Sequence, residues 1–390
     1  MKGLYKFLLL FCIFCNYFSN LILREFFEMG SNAETNFFGY IPNRYFYQAE
    51  MEMLIIFCVL LIISLKVKSP SKEEVFIPPN RTIYKSTLFY YVVYAFYWFV
   101  VLFTLFDTNW GLDVSSRGVA QFELENRQSL LQGVATNFLL PFVLYTYHIK
   151  FFKKNVYYLS ALAVYTFHSI AGGGRGGVVS MAIMLFLYFS YILKIRRKHI
   201  LFFGIVVFAA MSMSATDRFD YDSILVTTLV KIVQCNSTSE FLGVVKYSVD
   251  SGIGPFPFMF LMHFVSVFFP SYILNSLGML SYSRTTFIYN ELYNPNPDFG
   301  FGFMMLADFY WCYGYIGYIF YVFTFYIVIR YYSKNIYSAN PVNMVMAILC
   351  VFLFCNQRAD FGTFVKPFVY TLVFLNILEY FRKKAVLKFK

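Results

Sequence analysis

Apolar runs of about 20 residues recur from one end of this 390-residue chain to the other, and each is long enough to cross the ~30 Å hydrocarbon core of a bilayer. Hydrocarbon offers no partner to a free backbone N–H or C=O, so such runs must be helices. The runs are Leu4–Leu23, Met51–Leu65, Thr87–Phe106, Ser129–His148, Val156–Ala171, Gly177–Leu193, Ile200–Met213, Met304–Ile329, Val342–Cys355 and Phe364–Leu378. Composition agrees: 59% of the residues are hydrophobic and 14% are charged, where a soluble domain carries about 25%. Tyr97, Trp98, Trp110 and Trp311 fall near run ends, where an amphipathic ring suits the headgroup zone. The expected fold class is all-α, a polytopic transmembrane helix bundle of about ten spans. It forms a single integral membrane domain over residues 1–390, with one large outer loop over 214–303 that contains interfacial helices.

The direction of these spans follows from charge. The net charge of +11 resembles that of a nucleic-acid binder, but its distribution excludes that partner. Basic residues cluster in alternate short loops: Lys66, Lys68, Lys72, Arg81 and Lys85; Lys150, Lys153 and Lys154; Lys194, Arg196, Arg197 and Lys198; Arg330 and Lys334. The C-terminal Arg382, Lys383, Lys384, Lys388 and Lys390 and the N-terminal Lys2 and Lys6 complete the set. Of the 21 acidic residues only Glu73, Glu74 and Glu379 share that side. Cytoplasmic loops are enriched in Lys and Arg, so these loops and both termini are expected in the cytoplasm. The N-terminal run resembles a signal peptide but has no small-residue cleavage site, so it is expected to be retained as the first helix. A crossing at Phe256–Leu280 would invert every later loop, and Pro255, Pro257 and Pro270 interrupt it. An interfacial or re-entrant helical element is expected there.

The outer segments hold the chemistry-bearing strings. Ala171-Gly172-Gly173-Gly174-Arg175-Gly176-Gly177 joins two spans on the outer side. Glycines let backbone approach a ligand closely, the next helix offers free N–H groups at its start, and an arginine fork matches phosphate oxygens. Gly173, Gly174, Gly176 and Arg175 together suit a diphosphate; a tight, closely packed helix hairpin is the competing reading. Ser281–Thr286 with Tyr289, Asn290 and Glu291 mixes Arg284, a carboxylate, hydroxyls and rings, a set that suits sugars, or else a solvated loop. Asp217, Asp220 and Asp222 lie close together, but the calcium-loop glycine and distal glutamate are missing. Arg358 adds another arginine in the last outer turn, and His263 is the histidine best placed for catalysis. Cys235 has no evident disulfide partner, and the CxxC pair Cys12-Ile-Phe-Cys15 lies inside the first run, read as packing, with no second pair at metal spacing, so no metal or cofactor is expected.

The outer Gly-Arg-Gly turn feeding a helix, the large late outer loop and the following Tyr313-Gly314-Tyr315-Ile316-Gly317-Tyr318 helix resemble the O-antigen polymerases. The resemblance implies a glycosyltransferase-type polymerase in the bacterial inner membrane. It would join undecaprenyl-diphosphate-linked oligosaccharide units into O-antigen or a related surface polysaccharide on the periplasmic face, as in lipopolysaccharide synthesis. Its partners would be the lipid-linked glycan, membrane lipid and a chain-length regulator. Functional arginines of the family's outer loops map onto Arg175 and Arg284. Glu291, Asp217 and His263 are the candidates for the base that deprotonates the acceptor. Gly173, Gly174, Gly176, Tyr289, Asn290 and Arg358 are the candidate substrate contacts. An O-antigen ligase and a flippase of the lipid-linked unit are the rival readings; internal repeats expected of a transporter are not evident.

The charge pattern generates a direct test. Reporter fusions after Lys68, Lys154, Lys198 and Lys334 should report cytoplasm, and fusions after Asp113 and Asp222 the opposite side; a cytoplasmic signal at Asp222 overturns the assignment.

Overall fold

Helices account for every regular element among the described residues of the computed structural model, which are 3–18, 41–70, 92–99, 130–151, 154–171, 175–192, 240–254, 257–269, 271–277, 304–357 and 360–387. In chain order they are α1 (Leu4–Tyr17), α2 (Asn43–Lys66), a helical stretch at 92–99, α3 (Leu130–His148), α4 (Val156–Ala171), α5 (Arg175–Ile192) and α6 (Glu240–Asp250). Then follow α7 (Pro257–Phe268), α8 (Ser271–Ser276), α9 (Met305–Tyr313), α10 (Tyr315–Asn335), α11 (Pro341–Cys355) and α12 (Phe361–Leu387). The chain divides into two compact units. One comprises Met1–Ser69, Ala215–Tyr331 and Leu353–Lys366; the other comprises Pro70–Ser214, Tyr332–Phe352 and Pro367–Lys390.

Three of the described helices are long and apolar enough to cross a membrane: Asn43–Lys66, Tyr315–Asn335 and Phe361–Lys383. Their surfaces explain why. On α2, Tyr45, Ala49, Met53, Ile56, Leu60 and Ser64 are buried, a stripe at helical spacing. The rest of the helix exposes Met51, Leu54, Ile55, Val59, Leu61, Ile62 and Leu65. A helix in water would put polar side chains there; apolar side chains on the outward face are what lipid requires. Helix α10 does the same with Ile316, Ile319, Phe320, Phe323 and Ile327. Leu4–Tyr17, Met181–Ser190 and Pro341–Cys355 are shorter apolar helices.

Several expected boundaries are corrected. Helix α2 begins at Asn43 rather than Met51, behind the extended Pro42, so the polar Gln48 and Glu52 lie on a helix that the apolar run alone would start later. The expected single span Met304–Ile329 is two helices. Gly314 breaks it with φ 58° and ψ −140°, a conformation that glycine tolerates and L side chains rarely adopt. The nine residues of α9 reach only ~14 Å, too short to cross, and its residues from Met305 to Cys312 are buried. Within the expected helical element at Phe256–Leu280, the described residues form the short helices α7 and α8, the first of twelve residues. Thr87–Phe106 is described only at 92–99, and Ile200–Met213 lies outside the described residues.

Local signals set several helix ends. Asn340 caps α11, its Oδ1 accepting from Val342 N–H at 3.0 Å, with Pro341 in the first position. Asp360 caps α12 by accepting from Thr363 N–H at 3.0 Å and from the Thr363 hydroxyl at 2.8 Å. Lys6 donates to the Ser64 carbonyl at 2.7 Å and also to the Val67 carbonyl, satisfying acceptors at the end of α2.

Within each unit, helix ends that the charge pattern assigns to one side lie together. In the first unit, Lys6 near the start of α1 meets the basic end of α2, so α1 and α2 are antiparallel. The opposite end of α2 meets the start of α10 through Gln48 and Tyr315. In the second unit, Tyr145 near the end of α3 donates to Glu379 at 2.7 Å, beside Arg382, and His148 lies 3.3 Å from the hydroxyl of Tyr188 near the end of α5.

The turn at Gly314 brings α10 back against α9. A Cβ on Gly317 would lie 1.9 Å from the carbonyl oxygen of Phe309, backbone that cannot move aside cheaply. Gly317→Ala should therefore destabilise the protein by about 3 kcal/mol, the upper end of overpacking costs. Gly3→Ala, where a Cβ meets nothing within 4 Å, should be near neutral. Thermal unfolding in detergent, read by intrinsic fluorescence, checks the contrast; equal midpoints would remove the close-approach argument.

Candidate functional site

The Gly-rich turn resolves into a helix start. Helix α4 ends at Ala171 and α5 begins at Arg175, not at Gly177 as the apolar run suggested. Arg175 and Gly176 therefore occupy the first turn of α5, where backbone N–H groups have no intrahelical acceptor and the helix dipole favours an anion. Gly173 and Gly174 lie outside the described residues, as do Asp217, Arg284, Tyr289, Asn290, Glu291 and Arg358. His263 sits on α7. The structure thus places Arg175, Gly176 and His263 on helices, in different units for the first two and the third.

A second constellation, absent from the sequence reading, assembles in the first unit from α2, α6, α9 and α10. Glu52 and Lys246 form an ion pair whose side chains are 16% and 2% exposed. The Lys246 ammonium donates to both Glu52 oxygens at 2.8 and 2.9 Å and to the Tyr315 hydroxyl at 3.3 Å. It also lies 4.6 Å from the Tyr310 ring centroid and 4.8 Å from that of Tyr315, within cation–π range. Tyr318 donates its hydroxyl to Glu52 Oε2 at 2.5 Å. The Gln48 amide donates to Glu52 Oε1 at 3.1 Å and to the Tyr315 hydroxyl at 3.0 Å. The three tyrosines contact one another, with centroids 5.3 to 5.9 Å apart. Burial, then the neighbouring Tyr315 and Glu52, hold the Tyr310 phenol above its ordinary range, so its ring stays neutral beside the cation.

Local sequence explains how the groups converge. Gln48 and Glu52 are four residues apart and share one face of α2, and Tyr315 and Tyr318 share one face of α10. Gly243 lets α6 close on α2, since a Cβ there would stand 2.8 Å from the Phe46 ring. Tyr45 and Tyr247 pack edge to face at 5.4 Å beside this contact. Tyr310 reaches the cluster because the Gly314 turn sets α9 against α10.

Lys246, Tyr318 and Gln48 all donate to Glu52, so its two carboxylate oxygens are already occupied. The pair is neutral overall. What it presents outward is the exposed Gln48 amide and the exposed ring of Tyr315. Asp308 and Gln357 form a separate polar contact: Asp308 Oδ2 accepts from Phe361 N–H at 2.8 Å, and Gln357 accepts from the Tyr321 hydroxyl at 2.7 Å. The first of these bonds fixes the start of α12. Among the described residues, no group of His, Cys, Asp and Glu could hold a metal ion.

One signal for the ion pair was in the sequence: Glu52 stands at the start of the apolar run Met51–Leu65, and ionisable residues on a span usually have a partner or a role. Its partner stands 194 residues away, beyond any local pattern. No known protein family, curated protein or solved structure matches this chain.

Removing one partner of a buried pair strands the other charge. Lys246→Ala should cost about 3–5 kcal/mol, whereas Glu52→Gln combined with Lys246→Met should recover most of that loss. Unfolding midpoints of the single and double variants check this, and simple additivity would show that the two groups do not act as a pair.

Proposed function

We propose that this protein is a polymerase of lipid-linked glycans, a glycosyltransferase that joins undecaprenyl-diphosphate-linked oligosaccharide units on the periplasmic face of the bacterial inner membrane. In this reading about ten spans cross the bilayer, both termini are cytoplasmic, and residues 214–303 form a periplasmic loop. The product is O-antigen or a related surface polysaccharide. The observation that carries the reading is the start of α5 at Arg175, directly after the glycine run of the sequence.

Transfer requires that an acceptor hydroxyl attack the anomeric carbon of the donor glycan while the bond from that carbon to the diphosphate oxygen breaks. Negative charge grows on the leaving undecaprenyl diphosphate, and the acceptor proton passes to a base. Fixed N–H groups and a guanidinium at a helix start stabilise such charge without reorganising. Arg284 and Arg358 would add cations from the other outer segments. Glu291, Asp217 and His263 are the candidates for the base. Gly173, Gly174, Gly176, Tyr289 and Asn290 would contact the substrate.

Deleting the gene should leave single-unit lipopolysaccharide on a gel, whereas loss of a ligase or a flippase would leave essentially no glycan-bearing species. Arg175→Ala should reduce polymer formation by about 100-fold or more, the usual effect of losing one donor to a developing oxyanion. Arg175→Lys should rescue only in part, because an ammonium lacks the bidentate fork. Normal-length polymer from Arg175→Ala at matched protein level refutes the role of this helix start.

A further inference from the structure

We propose that the exposed Tyr315 ring and Gln48 amide, held over the buried Glu52–Lys246 pair, form a binding subsite for a neutral saccharide. This inference rests on the glycan-polymerase reading and assigns residues of the first unit to the handling of its substrate.

Several observations converge on a polyhydroxylated ligand. The Tyr315 side chain is 58% exposed, yet its hydroxyl is fixed by Lys246 and Gln48, so the ring is held in one orientation rather than free to turn. A fixed aromatic face stacks on the C–H face of a sugar with little loss of side-chain entropy. Beside it stands an exposed primary amide, which both donates and accepts, and the partly exposed Glu52 carboxylate, which accepts. Hydroxyls that alternate donor and acceptor roles match that set. The cation beneath is neutralised by Glu52 and 98% shielded, so the pair itself offers no net attraction for a phosphate.

The arrangement also exceeds what packing requires. A buried ion pair is often no more stabilising than apolar side chains of equal volume, and ionisable groups on a spanning helix mark function more often than structure. Here one carboxylate collects donors from three separate side chains, and the result is a rigid rim rather than a closed core. The rim lies on the ends of α2 and α10 that the charge pattern assigns outside, the side on which the proposed transfer takes place.

The test uses full-length protein in lipid nanodiscs. The probe is the free oligosaccharide released by mild acid from the lipid-linked pool of the source strain, and binding is read by saturation-transfer NMR. Wild type should bind it. Tyr315→Leu should weaken binding roughly tenfold, the loss of one stacked ring, while Tyr315→Phe, which keeps the ring, should retain most of it. Gln48→Leu should cost roughly fivefold, about one hydrogen bond. Leu54→Ala, on the lipid-facing side of α2, should bind as wild type does. Unchanged unfolding midpoints for the two Tyr315 variants separate lost binding from lost fold. Equal binding by wild type and Tyr315→Leu overturns the subsite and leaves Tyr315 as a ring against lipid headgroups. No binding by wild type overturns it as well. Neither result touches the polymerase reading, which falls instead if the deletion strain still makes polymer of normal length.

Discussion

Hydrocarbon cannot hydrogen-bond, and that constraint suits the three described helices that are long and apolar enough to cross a membrane. Every backbone N–H and C=O at membrane depth must find its partner inside the chain, which leaves the helix as the element to build with. The side chains then sort by a rule opposite in part to that of a soluble protein. Helix α2 turns Tyr45, Ala49, Met53, Ile56, Leu60 and Ser64 toward its neighbours and Leu, Ile and Val residues outward. With no hydrophobic force to drive apolar helices together in lipid, packing and polar contacts between them carry the assembly.

Among the described residues, several of those polar contacts link segments far apart in the chain. Glu52 of α2 binds Lys246 of α6 and Tyr318 of α10. Asp308 of α9 takes the first N–H of α12, and Tyr321 of α10 donates to Gln357. In the second unit Glu379 accepts from Tyr145 and from Arg382, its neighbour one turn on. A polar side chain in such surroundings is costly without a partner and directional with one, so these groups select which helices meet and in what register. Close backbone approach supplies the rest. Gly317 against the Phe309 carbonyl and Gly243 against the Phe46 ring leave no room for a side chain at either contact.

The candidate site shows how such contacts can serve chemistry as well as assembly. Arg175 depends on local structure alone: a run of glycines ends one helix and an arginine starts the next. The Tyr315 rim depends on four helices and on a turn at Gly314 that sets Tyr310 beside the same ammonium as Tyr315.

Much was legible in the sequence because lipid imposes strong, local rules. Apolar runs marked helices, and the basic residues Lys6 and Lys66 marked ends of α1 and α2 that lie together. The Gly-rich turn at Arg175 was visible for the same reason, as punctuation between two runs. The break at Gly314 was not, because Tyr313-Gly314-Tyr315 reads as a continuous apolar stretch and only the tight return of α10 onto α9 demands a positive φ there. Nor was the early start of α2, whose first turns are too polar to read as span. Sequence by itself determined the helical class, the membrane-crossing length of the principal helices and their expected direction, since these follow from how single segments meet hydrocarbon and charge. Tertiary structure alone decided that Glu52 would find Lys246 and that three tyrosines would enclose them, because a pairing across 194 residues is set by which helix faces pack together, and no local pattern encodes that.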